Sequence, residues 1–219
     1  PDFRIECGQE DYVMNILPVE IGRQRRLEPQ SPLTDTERSL LRAINGSMQY
    51  AVVHTRPDFA AKVSDLQQQT NTATVSTLLQ ANRVLKEMKE TKEVRTTYHP
   101  LPLKDITFVA FSDASFASAK KESSQQGTLI FATTKALSAN QAAPMNLVSW
   151  TSRKVSRVVR STLSAETFSM SNSLDRLGWV RLLFALLVQP DLPWQKPEEV
   201  YRQITPATIV TDCKSLHDL

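Results

Sequence analysis

The chain has 219 residues, 41% of them hydrophobic and 22% charged, which excludes a disordered tail; five glycines and twelve prolines exclude collagen-like or linker composition. That length can bury a core without disulfide or metal staples, as one large domain or two small ones. Lys and Arg number 26 against 23 Asp and Glu, a net charge of +3, so overall charge selects no partner.

Residues 1–34 place the short apolar stretch Tyr12 to Leu17 before Pro18, Pro29 and Pro32, which reads as one short element and an extended linker. The first residues carry no signal-peptide pattern and no initiator methionine, so a fragment is expected. From Thr34 or Asp35, Leu40, Leu41, Ile44, Met48 and Val52 recur at helical spacing until Pro57. A second helix is predicted from Asp58 with Phe59, Val63 and Leu66. A third, from Thr74 to Lys89, carries Val75, Leu78, Leu79, Val84, Leu85 and Met88. Residues 35–102 thus read as a compact helical subdomain ending at Pro100 and Pro102.

After Pro102 the period changes. Thr107–Ser112, Thr128–Thr133 and Asn146–Thr151 read as three strands of a meander. A long helix follows from Ser161 to Val188, with Leu163, Met170, Leu174, Leu177, Val180 and Phe184 as its expected apolar stripe and Pro190 as its stop. Ala207–Thr211 reads as a last strand, and Lys214 to Leu219 as the start of a helix. The expected architecture of residues 103–219 is therefore a mixed α/β layer with one parallel crossover. The longest nearly apolar stretch, Leu182–Val188, is far short of the roughly 20 residues of a membrane-spanning helix, so the chain reads as soluble and intracellular. Cys7 and Cys213 lie far apart with no zinc-type spacing and read as reduced thiols.

Two of the strands end alike, in Phe111-Ser112-Asp113 and Val210-Thr211-Asp212. A right-handed crossover would lay them parallel and bring both aspartates out at one sheet edge, where open α/β sheets place their sites. Two carboxylates there repel unless a cation neutralises them, and an all-oxygen set suits Mg²⁺ or Mn²⁺. Glu166, one turn into the long helix, is a third acid on the expected sheet-facing side. Each alone reads equally as a strand-end cap or a helix-dipole partner. The long helix is preceded by Arg153, Lys154, Arg157 and Arg160 with no acid among them, a candidate phosphate-facing patch or else a solvated loop. Arg23, Arg25 and Arg26 read as solvated surface.

These residues resemble a known family. Phe111 to Phe116, Val148 to Lys154, Ser161 to Thr167 and Thr211 to Ser215 are similar, in wording and order, to the RNase H domain of copia-type retrotransposon Pol polyproteins. Upstream, Leu41 to Tyr50 and Thr55 to Ala60 resemble the segment between polymerase and RNase H in those polyproteins, a thumb or connection. The resemblance implies an RNase H-like mixed sheet with flanking helices over 103–219, C-terminally truncated, in which Asp113, Glu166 and Asp212 hold two Mg²⁺ or Mn²⁺ ions about 4 Å apart. It implies hydrolysis of the RNA strand of RNA/DNA hybrids during reverse transcription, leaving a 5′-phosphate. The hybrid's backbone would lie on Arg153, Lys154, Arg157 and Arg160, and selectivity would rest on 2′-hydroxyl contacts. The partners implied are the polymerase and integrase parts of Pol, in a cytoplasmic particle or the nucleus. Trp150 is either a nucleotide-stacking residue or a core residue.

The pattern departs from the family in three places. The family's fourth acid, after a further helix, has no match here, because Asp218 does not sit in the matching place. Thr167 stands where an aromatic residue commonly follows the glutamate. No Asp-Asp pair occurs, so no polymerase metal site is expected in this chain. The competing reading is a catalytically inactive, decayed or domesticated retroelement remnant that at most binds nucleic acid. A serine hydrolase is excluded by the lack of Gly-x-Ser-x-Gly, and nucleotide-dependent enzymes by the lack of glycine-rich phosphate cradles.

Overall fold

The computed structural model describes residues 3–119, 123–192, 195–196 and 206–218. The chain divides into two compact units, Glu6–Thr96 and Pro1–Ile5 with Thr97–Leu219. Two three-residue strands, β1 (Ile5–Cys7) and β2 (Thr96–Tyr98), lie where the chain passes from one to the other.

The first unit is built from helices α1 (Glu10–Asn15), α2 (Arg23–Arg26), α3 (Asp35–His54), α4 (Ala60–Gln69) and α5 (Val75–Glu90). Helix α3 starts on a capping box: the Thr34 hydroxyl accepts the Glu37 N–H, and the Glu37 carboxylate accepts the Thr34 N–H at 2.8 Å. Arg25 adds two bonds of 2.9 Å to the same carboxylate. Of the expected stripe, Leu41, Ile44, Met48 and Val52 are buried against Val63 and Leu66 of α4 and Val75, Leu78, Leu85 and Met88 of α5, whereas Leu40 is exposed. More of residues 1–34 is packed than their prolines suggest, since Val13, Ile16, Val19, Ile21 and Leu33 join this core. Their irregular spacing gives no helical period, so sequence alone could not place them. Where α3 ends, Arg56 is 1% exposed. It donates to Asp58, to the Met88 carbonyl and to Thr91, with its guanidinium over the Phe59 ring. Arg56 thus fastens the turn after α3 to the end of α5.

The second unit contains a four-stranded mixed sheet in the order β5-β4-β3-β6. β3 (Ile106–Ala119), β4 (Ser123–Thr134) and β5 (Asn146–Lys154) form the expected antiparallel meander, and β6 (Ala207–Val210) pairs parallel to β3. Helix α6 (Thr162–Val188) is the crossover, and α7 (Lys214–His217) follows β6. Ser161 caps α6, its hydroxyl accepting the Ser164 N–H at 3.1 Å. Among the described residues no helix is long and apolar enough to cross a membrane.

One face of the sheet packs on α6 through Phe108, Ala110, Ile130 and Ala132 against Leu177, Val180 and Phe184, with the Phe108 and Phe184 rings edge-on at 5.4 Å. The helix is rotated from the expected stripe. Leu163 and Leu174 are 39% and 49% exposed, while Ala165, Glu166, Ser169, Ser173, Leu177 and Ala185 are buried. Short side chains let the helix approach the sheet, and their hydroxyls find partners across it. On the opposite face Phe111, Leu129, Val148 and Val210 remain partly exposed.

Candidate metal centre

Register brings two of the predicted acids together. Phe111 of β3 pairs with Val210 of the parallel β6, and Asp113 and Asp212 each lie two residues beyond that pair. Contrary to expectation Asp113 does not end its strand: it lies inside β3 opposite Gly127 of β4, while Asp212 follows the end of β6, so both stand just past the last pair of the parallel ladder. Glu166 is delivered by the first turns of α6 and is 5% exposed. One carboxylate oxygen from each of the three lies within 4.8 Å of the others.

Glu166 decides what this arrangement can do. Its Oε1 accepts the N–H of Ala114 at 3.3 Å, a residue of β3 past the last β6 pair. Its Oε2 is buried with no hydrogen-bond partner. A buried carboxylate oxygen left unpaired costs free energy, and two more negative charges beside it add to that. Burial pushes the Glu166 carboxyl above its ordinary range, the Ala114 N–H draws it back, and Asp113 and Asp212 push it further up. A divalent cation would engage the free oxygen and neutralise the cluster. Carboxylate oxygens are the hard donors that Mg²⁺ and Mn²⁺ take, so the residues fit such an ion.

A row of hydroxyls beneath the acids fixes their positions. Ser112 donates to Ser169 Oγ at 3.0 Å, and Ser169 donates to the Asp113 carbonyl at 2.7 Å. One turn along α6, the Ser173 and Thr128 hydroxyls are 2.6 Å apart. Ser169 is three residues from Glu166 on the same helix face, so these bonds tie the glutamate's helix to the backbone of Asp113 itself.

The basic residues are distributed less simply. Arg153 reaches the Asn172 side chain at 2.9 Å, while Lys154, the next residue of β5, is exposed and by strand alternation faces the other side of the sheet. Arg157 lies over the Phe168 ring of α6, 5.9 Å from its centroid, and Arg160 is exposed just before the Ser161 cap. Trp150 is half-buried, in register with Leu129 on the sheet face away from α6.

No family model matches the chain, and no solved structure matches it. Among curated proteins, the retrovirus-related Pol polyprotein from transposon RE1 of Arabidopsis thaliana is 28% identical over 170 residues, 76% of this chain. The chain is similar to a retrotransposon Pol polyprotein. It spans about a tenth of that relative's length, 10%. The resemblance read from the motifs and the alignment to a copia-type Pol sequence thus point to the same relative.

The three acids singled out in the sequence lie together, whereas Ser169 and Ser173 were not singled out, although Ala165, Ser169, Ser173 and Leu177 recur every four residues, a spacing that marks one buried face. Arg176 was missed as well. It sits on α6 with its Nε donating to Ser149 Oγ at 2.5 Å.

Proposed function

We propose that residues 103–219 form an RNase H-like nuclease domain of a copia-type Pol polyprotein, acting on the RNA strand of RNA/DNA hybrids, and that residues 35–102 are the thumb or connection region before it. The observation that carries this reading is the buried, unpartnered Glu166 oxygen in one cluster with Asp113 and Asp212. A purely structural role would leave that group paired or neutral. The strand order and the single parallel crossover are compatible with the RNase H fold, and the Pol resemblance supplies the substrate class.

Asp113, Glu166 and Asp212 would hold two divalent ions. Bound there, such ions supply a nucleophilic water at neutral pH and offset the charge that develops on the transferring phosphate. The chain's own residues do the rest. The Ser112–Ser169–Asp113 bonds hold the α6 and β3 carboxylates in fixed relation, so little ordering remains to be done when ions and substrate arrive. Of the basic run, Arg153, Arg157 and Arg160 would orient the phosphate backbone of the hybrid, and Lys154, on the other side of the sheet, would add only to the positive field. The partners in this reading are the hybrid and the other Pol parts, in a cytoplasmic particle or the nucleus.

The test is cleavage of an RNA-strand-labelled hybrid with Mg²⁺ or Mn²⁺, run beside Asp113→Asn. Cleavage by the parent chain and its loss in the variant are expected. Equal activity in both would remove Asp113 from the mechanism, and binding without metal-dependent cleavage would favour a remnant that only binds nucleic acid.

A further inference from the structure

We infer that Arg176 and Arg153 together form a phosphate-binding site in the groove between β5 and α6, where a backbone phosphate of the bound nucleic acid is held. This rests on the nucleic-acid reading above and extends it to a residue that neither the motifs nor the basic run before α6 contain.

The groove is built from both sides. Ser149, Thr151 and Arg153 alternate along β5, and their β4 partners Ile130, Thr128 and Gln126 all face α6: Ile130 packs with Leu177, Thr128 bonds Ser173, and Gln126 accepts from Asn172 at 3.1 Å. Arg153 donates to Asn172, which sits one turn before Arg176. Arg176 spends its Nε on Ser149, which leaves both terminal nitrogens of its guanidinium for a ligand. Two cations thus flank one groove, each held by a neutral side chain. Among the described residues neither has a carboxylate partner.

Both arginines are exposed, so an anion can reach them, and one held between the two like charges would be favoured. Burial lowers the Arg176 guanidinium's affinity for its proton, and the charge of Arg153 lowers it further. An anion between them would reverse the second effect. A phosphate suits the geometry because its oxygens match the fork of a guanidinium. Arg176 lies ten residues from Glu166 along α6, about 15 Å, so a strand engaged at the carboxylates reaches this groove several nucleotides away, and the site would act as a second grip on the same substrate.

The experiment measures binding of a short RNA/DNA hybrid by the whole chain as a function of salt, with chelator present so that no strand is cut. Arg176→Gln and Arg176→Lys are compared with the parent, and thermal melts confirm that each is folded. Removing one phosphate contact lowers the slope of log affinity against log salt by about 1, so the defect of Arg176→Gln should be about tenfold greater at 0.1 M salt than at 1 M. Arg176→Lys should keep the slope. A folded Arg176→Gln with the parent's slope overturns the site while leaving the nuclease reading intact. A parent chain that binds no hybrid at all overturns both.

Discussion

Replacing Glu166 with glutamine should stabilise the metal-free protein and reverse that ranking when Mg²⁺ is added. The glutamate is 5% exposed, holds one unpartnered oxygen, and has an oxygen within 4.8 Å of oxygens of Asp113 and Asp212. Two unit charges at that separation repel by about 0.9 kcal/mol in a water-like medium and about 3.5 kcal/mol at an effective dielectric of about 20. Asp113 and Asp212 are exposed, which places each pair near the lower figure. Two relieved pairs amount to about 2 kcal/mol before any relief of burial is added, so the melting temperature should rise by at least roughly 6 °C for a unit of this size. Glutamine keeps the acceptor for the Ala114 N–H and turns its amide toward the aspartates as a donor. The pH sign follows from the raised folded-state value: below the ordinary 4.5 both folded and unfolded chains are protonated and the variant gains nothing. As pH climbs the unfolded chain releases its proton first, so wild-type stability falls and the gap opens. Magnesium stabilises the wild type by about 2.7 kcal/mol when its concentration is about a hundred times the dissociation constant. The variant lacks a ligand and gains less. Scanning fluorimetry with chelator and with Mg²⁺, at several pH values, reads all of this. A glutamine variant less stable than wild type in chelator at neutral pH, or equal Mg²⁺ shifts in both proteins, would refute the reasoning.

Four further outcomes are expected. Ser169→Ala removes the bond to the Asp113 carbonyl and should cost about 1 to 2 kcal/mol, seen as a lower urea midpoint with unchanged slope, and should weaken the Mg²⁺-induced shift. Arg56→Ala leaves the Met88 carbonyl and Thr91 without their donor and opens a cavity, so a loss of about 3 kcal/mol should appear as selective melting of the helical unit by circular dichroism. The Arg25 guanidinium holds the Glu37 carboxyl down to about 2, so the pair's stabilisation is full above about 4.5 and fades as pH falls toward 2. Because Glu37 is near the surface that contribution is only about 1 kcal/mol, and an acid titration of Glu37→Gln should converge on wild type as pH falls toward about 2 and lie beneath it by a constant amount above about 4.5. Thr34→Ala should cost about 1 kcal/mol through the lost cap of α3, measurable by the same melts.

Much of this architecture was legible because it rests on local signals. The strand runs beginning at Thr107, Thr128 and Asn146, the Pro57 break and the start of the long helix near Ser161 are properties of neighbouring residues, and the structure places elements at each. The acids were legible for the same reason, since Asp113 and Asp212 close matching strand words and parallel pairing does the rest. What sequence did not disclose is whatever depends on a distant partner. β3 runs on to Ala119 through alanines, serines and Phe116 because β4 pairs with it past the predicted end at Ser112. Ser169 and Ser173 are buried because Ser112, Thr128 and the Asp113 carbonyl await them across the sheet. Nothing in its own neighbourhood of sequence distinguishes Arg176, which stands out only once Ser149 and Arg153 are placed beside it.

The placement of the hydroxyls bears on whether the acids are a working site or an inherited relic. Near Leu177 and Phe184 the contact between α6 and the sheet is apolar and contributes to stability by burial. Toward Glu166 it becomes a run of hydrogen-bonded hydroxyls, which contribute little net stability but hold position tightly. That run ends at three mutually repelling carboxylates, an arrangement any single neutral substitution would relieve. Precise support beneath a destabilising cluster is the pattern expected where stability has been given up for binding charge. In the metal-dependent reading proposed above, a bound cation would remove that repulsion while the scaffold keeps the three carboxylates in place to receive it.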